Sequence, residues 1–175
     1  MRMLENEVMP KVLVLFDSAD ERAAQLAEFA AEGARSLRFT EVDLRVADDH
    51  ESPGMSHKRL SVDAVDQYDG ILVATSHRDI PPSIERVLAR IQASSHGLFV
   101  DCVLAAVGDS TPITQRLTEL GGIVVGARPG VRDAEESARK TGERVARVVE
   151  WVRHSLSHEH GHGDTHHAHS HQHPH

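Results

Sequence analysis

The 175-residue chain has the length of one domain and can bury a sizeable core. Its 39% apolar and 26% charged residues mark a globular chain rather than a disordered one. Its 27 acidic residues against 19 Lys plus Arg argue against a nucleic-acid or anionic-membrane binder. Aromatic residues make up only 3%, and nine of the fourteen histidines fall within residues 158–175.

Residues 1–10 read as an N-terminal extension; Glu5 and Glu7 interrupt any apolar stretch of signal-peptide length. The run Lys11-Val12-Leu13-Val14-Leu15-Phe16 is short, apolar and ends in polar residues, which predicts a strand buried on both faces. Leu26, Phe29 and Ala30 then recur at helical spacing, and Gly33 is placed to end that helix. Residues 37–46 alternate, as a strand nearer an edge does, and 47–66 form a polar connector with one helical turn. Ile71-Leu72-Val73-Ala74 is the third strand. Pro81 and Pro82 open a helix with Ile84, Val87, Leu88 and Ile91 on its apolar face. Residues 103–107 are the fourth strand, 112–120 a helix ended by Gly121-Gly122, 123–125 the fifth strand, and 133–154 the last helix.

Strands alternating with helices imply parallel pairing through right-handed crossovers. Five such units over about 150 residues match a flavodoxin-like doubly wound sheet of order 2-1-3-4-5 spanning residues 11–157. The ligand crevice of that arrangement lies at the carboxyl ends of the strands, which selects loops 17–22, 75–82 and 108–112. Cys102, the single cysteine, sits in an apolar run and reads as a buried strand thiol. No apolar stretch approaches the roughly 20 residues that cross a bilayer, so a cytoplasmic chain without membrane insertion is expected.

Three segments resemble the flavodoxin-like NAD(P)H:quinone oxidoreductases of the Trp-repressor-binding-protein type. They are residues 11–18 with Ala30-Ala31-Glu32-Gly33-Ala34, residues 68–75 with Arg78, and residues 138–146. The resemblance covers about 11–153. It implies FMN as cofactor, NAD(P)H and quinone as partners, and a homo-oligomer. By position it implies flavin contacts from Ser18, Asp20, Glu21, Arg22 and Ala23 in the first loop. Thr75, Ser76, His77 and Arg78 follow in the second, and Gly108, Ser110 and Thr111 in the third. Helix N-terminal N–H groups and hydroxyls cradle a phosphate in such a loop. The pattern departs at Asp20 and Glu21, where the family carries an aromatic or hydroxyl residue and a glycine. Asp17, Asp20 and Glu21 bring three negative charges to a dianion's place. They equally suit a helix N-terminus in their own right. Residues 127–132 replace a much longer loop that builds the family's substrate pocket and subunit contacts.

Asp17, Asp20, Glu21, Asp79 and Asp109 all map to this end of the sheet, a composition suited to Mg²⁺ or to solvated loops. The tail is sharper. His158, His160, His162, His166, His167, His169, His171, His173 and His175 interleave with small and polar residues. Alternate imidazoles of an extended chain share a side and chelate Zn²⁺ or Ni²⁺, and such a tract is expected to be disordered without metal. Two functions follow. One is an FMN-dependent oxidoreductase, as the resemblance implies. The other is a non-enzymatic flavodoxin-like domain that has lost FMN and carries a divalent-metal-binding tail.

Overall fold

Lys11–Phe16 (β1) buries Val12, Val14 and Phe16 in one apolar cluster and Leu13 and Leu15 in another. A strand buried on both faces needs helices on each side of its sheet. The computed structural model describes residues 8–47, 57–94, 99–108, 111–127, 130 and 132–159, with residues 158 and 159 described through their backbone alone. Within them the chain runs β1, α1 (Glu21–Arg35), β2 (Glu41–Val46), β3 (Lys58–Arg59), a 3₁₀ helix (Val62–Gln67), β4 (Gly70–Ala74), α2 (Pro82–Ser94), β5 (Val103–Val107), α3 (Thr111–Glu119), β6 (Ile123–Val124) and α4 (Ala134–Glu159).

All strands pair in parallel, in the order β3-β2-β1-β4-β5-β6. The five expected strands are β1, β2, β4, β5 and β6, and they stand side by side in the expected succession. The count of five is corrected to six by β3, which pairs Lys58 and Arg59 with Arg45 and Val46 at the edge. Two exposed basic residues carry no hydrophobic alternation, so the pattern does not mark them as a strand. The last helix runs to Glu159, five residues past its expected end, which places the backbone of His158 inside it. The Arg153 guanidinium holds this end of α4 by donating to the Asp69 carboxylate and to the Val8 carbonyl.

Side chains of α1 and α4 fill one cluster with Val14, Leu72 and Ala105; those of α2 and α3 fill the other with Leu13, Ile71 and Leu104. The first layer is thin because α1 presents Ala23, Ala27, Ala30, Ala31 and Ala34 to it. Here α1 and α4 meet backbone to backbone. A Cβ on Gly33 would lie 1.8 Å from the Arg139 carbonyl oxygen, and one on Gly142 would lie 1.9 Å from the Ala30 carbonyl oxygen. Each helix thus presses a carbonyl onto the other's glycine. Helix propensity favours Ala over Gly by about 1 kcal/mol, but a clash with main-chain atoms cannot be relieved by a rotamer change and reaches the upper part of the ~1–3 kcal/mol overpacking range or beyond. Gly142→Ala is therefore expected to lower stability by at least about 2 kcal/mol in urea unfolding. Gly126→Ala, with no atom within 4 Å of its added Cβ, should stay within about 0.5 kcal/mol of the parent.

Candidate functional site

The chain leaves β1 toward β2 on one side and returns to β4 on the other, so the strand order reverses between β1 and β4. That is where a doubly wound sheet opens a crevice at its carboxyl edge. Three loops meet there, after β1, β4 and β5. Gly108, just after β5, has φ +101°, and a Cβ on it would sit 2.0 Å from the Thr75 carbonyl oxygen. Only glycine lets the third loop lie this close on the second.

The first loop is organised by two carboxylates. Asp20 has extended backbone and caps α1, accepting the Ala23 N–H through Oδ1 at 2.9 Å. A cap needs no more than this, yet Asp20 also reaches across to the second loop. There the Ser76 N–H donates to Oδ2 at 3.1 Å, and the Ser76 hydroxyl donates at 2.8 Å and 2.7 Å to the two oxygens. His77 Nε2 lies 3.5 Å from Oδ2. Asp20 is only 8% exposed. Burial pushes its pKa upward, but the Ser76 hydroxyl, the Ala23 and Ser76 N–H groups and the nearby His77 outweigh that, and the net shift is downward. Asp17 accepts the Ala19 N–H and the hydroxyl of Ser83 in the first turn of α2. Both carboxylates therefore stitch neighbouring loops together.

Between these loops lies a cleft of about 360 Å³. Asp17, Asp20, His77 and Asp79 give it polar lining; Ala19, Ile80, Pro81 and Pro82 give it apolar lining. No Phe, Tyr or Trp lines it. A second cleft, of about 240 Å³, opens where β5 and β6 end and includes Gly108, Thr111, Thr114 and Gly126.

The residues singled out from the sequence are divided among these features. Asp20 and His77 line the first cleft, Gly108 and Thr111 the second. Thr75 is fully buried and its Oγ1 accepts the His77 N–H at 3.2 Å. Ser76 is engaged with Asp20. Ser18 is half-buried, Ala23 is buried and gives its N–H to Asp20, and Glu21 and Arg78 are exposed. Arg22 donates to Glu135 at 2.9 Å and to Gln25 at 3.0 Å, tying the start of α1 to the first turn of α4. Ser110 lies outside the described residues, as do the tail histidines from His160 onward; His158 is described by its backbone only. Among the described residues no group of three or more His, Cys, Asp or Glu side chains could hold a metal ion, and no helix is long and apolar enough to cross a membrane. Burial, with a contribution from Asp69, pushes the Cys102 thiol up to about 12, which makes it an inert core group rather than a nucleophile. The Asp17–Ser83 bond and the prolines of the cleft lining are not legible in the spacing of the sequence. The only signal for them is Pro81-Pro82-Ser83 itself, a helix start that faces the first loop once the sheet is assembled.

The sequence resemblance implies FMN as the cofactor of this crevice. A phosphoryl group would need the N–H donors at the start of α1 and a hydroxyl from a neighbouring loop. Here the Asp20 carboxylate already takes Ala23 N–H, Ser76 N–H and Ser76 O–H. The ring would need a planar apolar wall, and the first cleft offers Ile80 and two prolines. With those three donors engaged and a carboxylate charge already seated there, the start of α1 does not fit an FMN phosphate.

No family model and no curated protein matches the chain. Solved structures do match its fold. An archaeal flavodoxin superposes with a TM-score of 0.61 at 17% identity, over 80% of this chain and 99% of the flavodoxin. A flavone reductase gives 0.59 at 14%, over 82% and 64%. An NADH:FMN oxidoreductase in its apo form gives 0.54 at 16%, over 83% and 89%. The chain has the flavodoxin-like fold; identities this low establish the fold and nothing finer.

Asp20 generates a stability prediction. Its folded pKa lies below the ordinary 3.8, so its ionised contacts stabilise the fold above that value and are lost as pH falls below it. Asp20→Ala should cost about 1–3 kcal/mol at pH 7. Stability of the variant, followed by urea unfolding, should fall less steeply than the parent's from pH 4 toward pH 2.

Proposed function

We propose that this chain is a flavodoxin-fold binding domain that does not carry FMN as a resident cofactor. The observation that supports this is the Asp20 carboxylate seated at the start of α1 and held by donors from its own helix and from the loop after β4. The absence of Phe, Tyr and Trp from the cleft lining points the same way. On this reading the crevice takes a small ligand without a phosphate group, and chemistry of the flavin kind is not its task. The histidine-rich tail supplies a separate proposed property, capture of divalent ions such as Zn²⁺ or Ni²⁺ by residues 158–175.

A second reading is favoured by the position of the cleft. It lies at the strand-order reversal between β1 and β4, where a doubly wound sheet opens its ligand crevice. On that reading the chain is an FMN-binding oxidoreductase using NAD(P)H, with a quinone as acceptor.

One titration separates the two. Under the first reading the purified protein is colourless and leaves FMN fluorescence unquenched at micromolar concentrations. A yellow protein, or saturable quenching in that range, replaces the first reading by the second, and NAD(P)H-dependent quinone reduction is then the activity to measure. For the tail, calorimetric titration with Ni²⁺ should show binding by the full chain that disappears on removal of residues 158–175. Unchanged binding after truncation rejects the tail as the metal site.

A further inference from the structure

We infer that Asp20 is the specificity-determining residue of the crevice: its carboxylate is a resident anion that excludes phosphate monoesters from the start of α1. This rests on the reading that the domain carries no FMN, and adds the single residue responsible.

The exclusion rests on donors and charge. The start of α1 offers N–H groups and the positive end of the helix dipole, which together favour an anion. An ordinary capping aspartate satisfies one such N–H and leaves its second oxygen to water. Asp20 does otherwise. Both of its oxygens are engaged, by one N–H of its own helix and by the N–H and hydroxyl of Ser76, 56 residues away. Two main-chain N–H groups and one hydroxyl are donors of the kind that a phosphoryl group takes. The group is more than nine-tenths buried, so its charge is poorly screened. A phosphate placed there would meet a like charge and find the Ala23 N–H and the Ser76 N–H and hydroxyl already taken. A neutral group in the cleft meets no like-charge repulsion, and a cationic one is attracted by Asp17, Asp20 and Asp79 in the lining.

The full-length chain and two variants test this, with inorganic phosphate and FMN as probes and riboflavin as the phosphate-free control. Asp20→Ser keeps a side chain of equal capping rank while removing the charge and shortening the group. Asp20→Asn removes the charge and keeps the volume. Affinity for inorganic phosphate, read from the thermal midpoint against chloride at equal ionic strength, should rise at least tenfold in Asp20→Ser and by a smaller factor of about three in Asp20→Asn. FMN binding should rise in parallel, with riboflavin binding unchanged. If both variants remain as indifferent to phosphate as the parent, the inference is overturned while the reading of the domain as FMN-free stands. If the parent itself binds FMN more tightly than riboflavin, both fall.

Discussion

The approach of α1 to α4 at Gly33 and Gly142 fixes where everything at the carboxyl edge can be. The two helices share one face of the sheet, and their carbonyl-on-glycine contacts leave no room for a side chain between them. Ion pairs and a stacked guanidinium flank the seam. Arg139 reaches Glu32 at 3.2 Å and lies 4.9 Å from the centre of the Phe29 ring, and Arg22 reaches Glu135. Exposed pairs of this kind contribute roughly 0–1 kcal/mol each. They trim the interface, whereas the main-chain contact sets its distance. Once α1 is seated, its first turn projects beside the end of β4, and Asp20 stands within reach of Ser76.

The crevice is then held by its own polar side chains. Asp20 takes the Ser76 hydroxyl and N–H, Asp17 takes the Ser83 hydroxyl, and Gly108 lets the third loop rest on Thr75. Acidic loop residues that composition alone would assign to a cation or to solvent are in this way structural for two of the three loops. A buried carboxylate is expensive unless its lone pairs are satisfied, and Asp20 meets that condition through the same donors that would otherwise face a ligand. Stability and anion binding compete for one set of hydrogen bonds, and the fold has allotted them to the chain itself.

How much of this the sequence disclosed depended on the period of each signal. β1, β4 and β5 are continuous apolar runs and α2 and α4 carry clear apolar stripes, so they were legible, and with them the strand succession and the three crevice loops. β3 was not, because an edge pairing of Lys58 and Arg59 is made by main-chain atoms and leaves no side-chain pattern. At the site, residue type at the start of α1 showed that Asp20 suits a cap. Its second partner could not be read, since Ser76 comes near only when β1 and β4 pair. Arg22 shows the same limit. The resemblance implies a flavin contact for it by position, and its carboxylate partner, Glu135, lies 113 residues further along the chain.

The scarcity of aromatic residues has a structural side that bears on the crevice. Phe16 packs edge-on with His57 at 5.3 Å, Phe29 lies under Arg139, Phe99 is buried, and the buried Tyr68 gives its hydroxyl to Asp43 at 2.8 Å. Phe39 and Trp151 are exposed away from the cleft lining. None of these rings is among the residues that line the cleft. A flavin site needs both a place for an anion and a wall for a planar ring. The first is taken by Asp20 through hydrogen bonding, and the second is missing through composition. Because these two causes are physically independent, reversing one leaves the other in force. Opening the start of α1 would restore a hold on phosphate long before it restored a hold on a flavin ring.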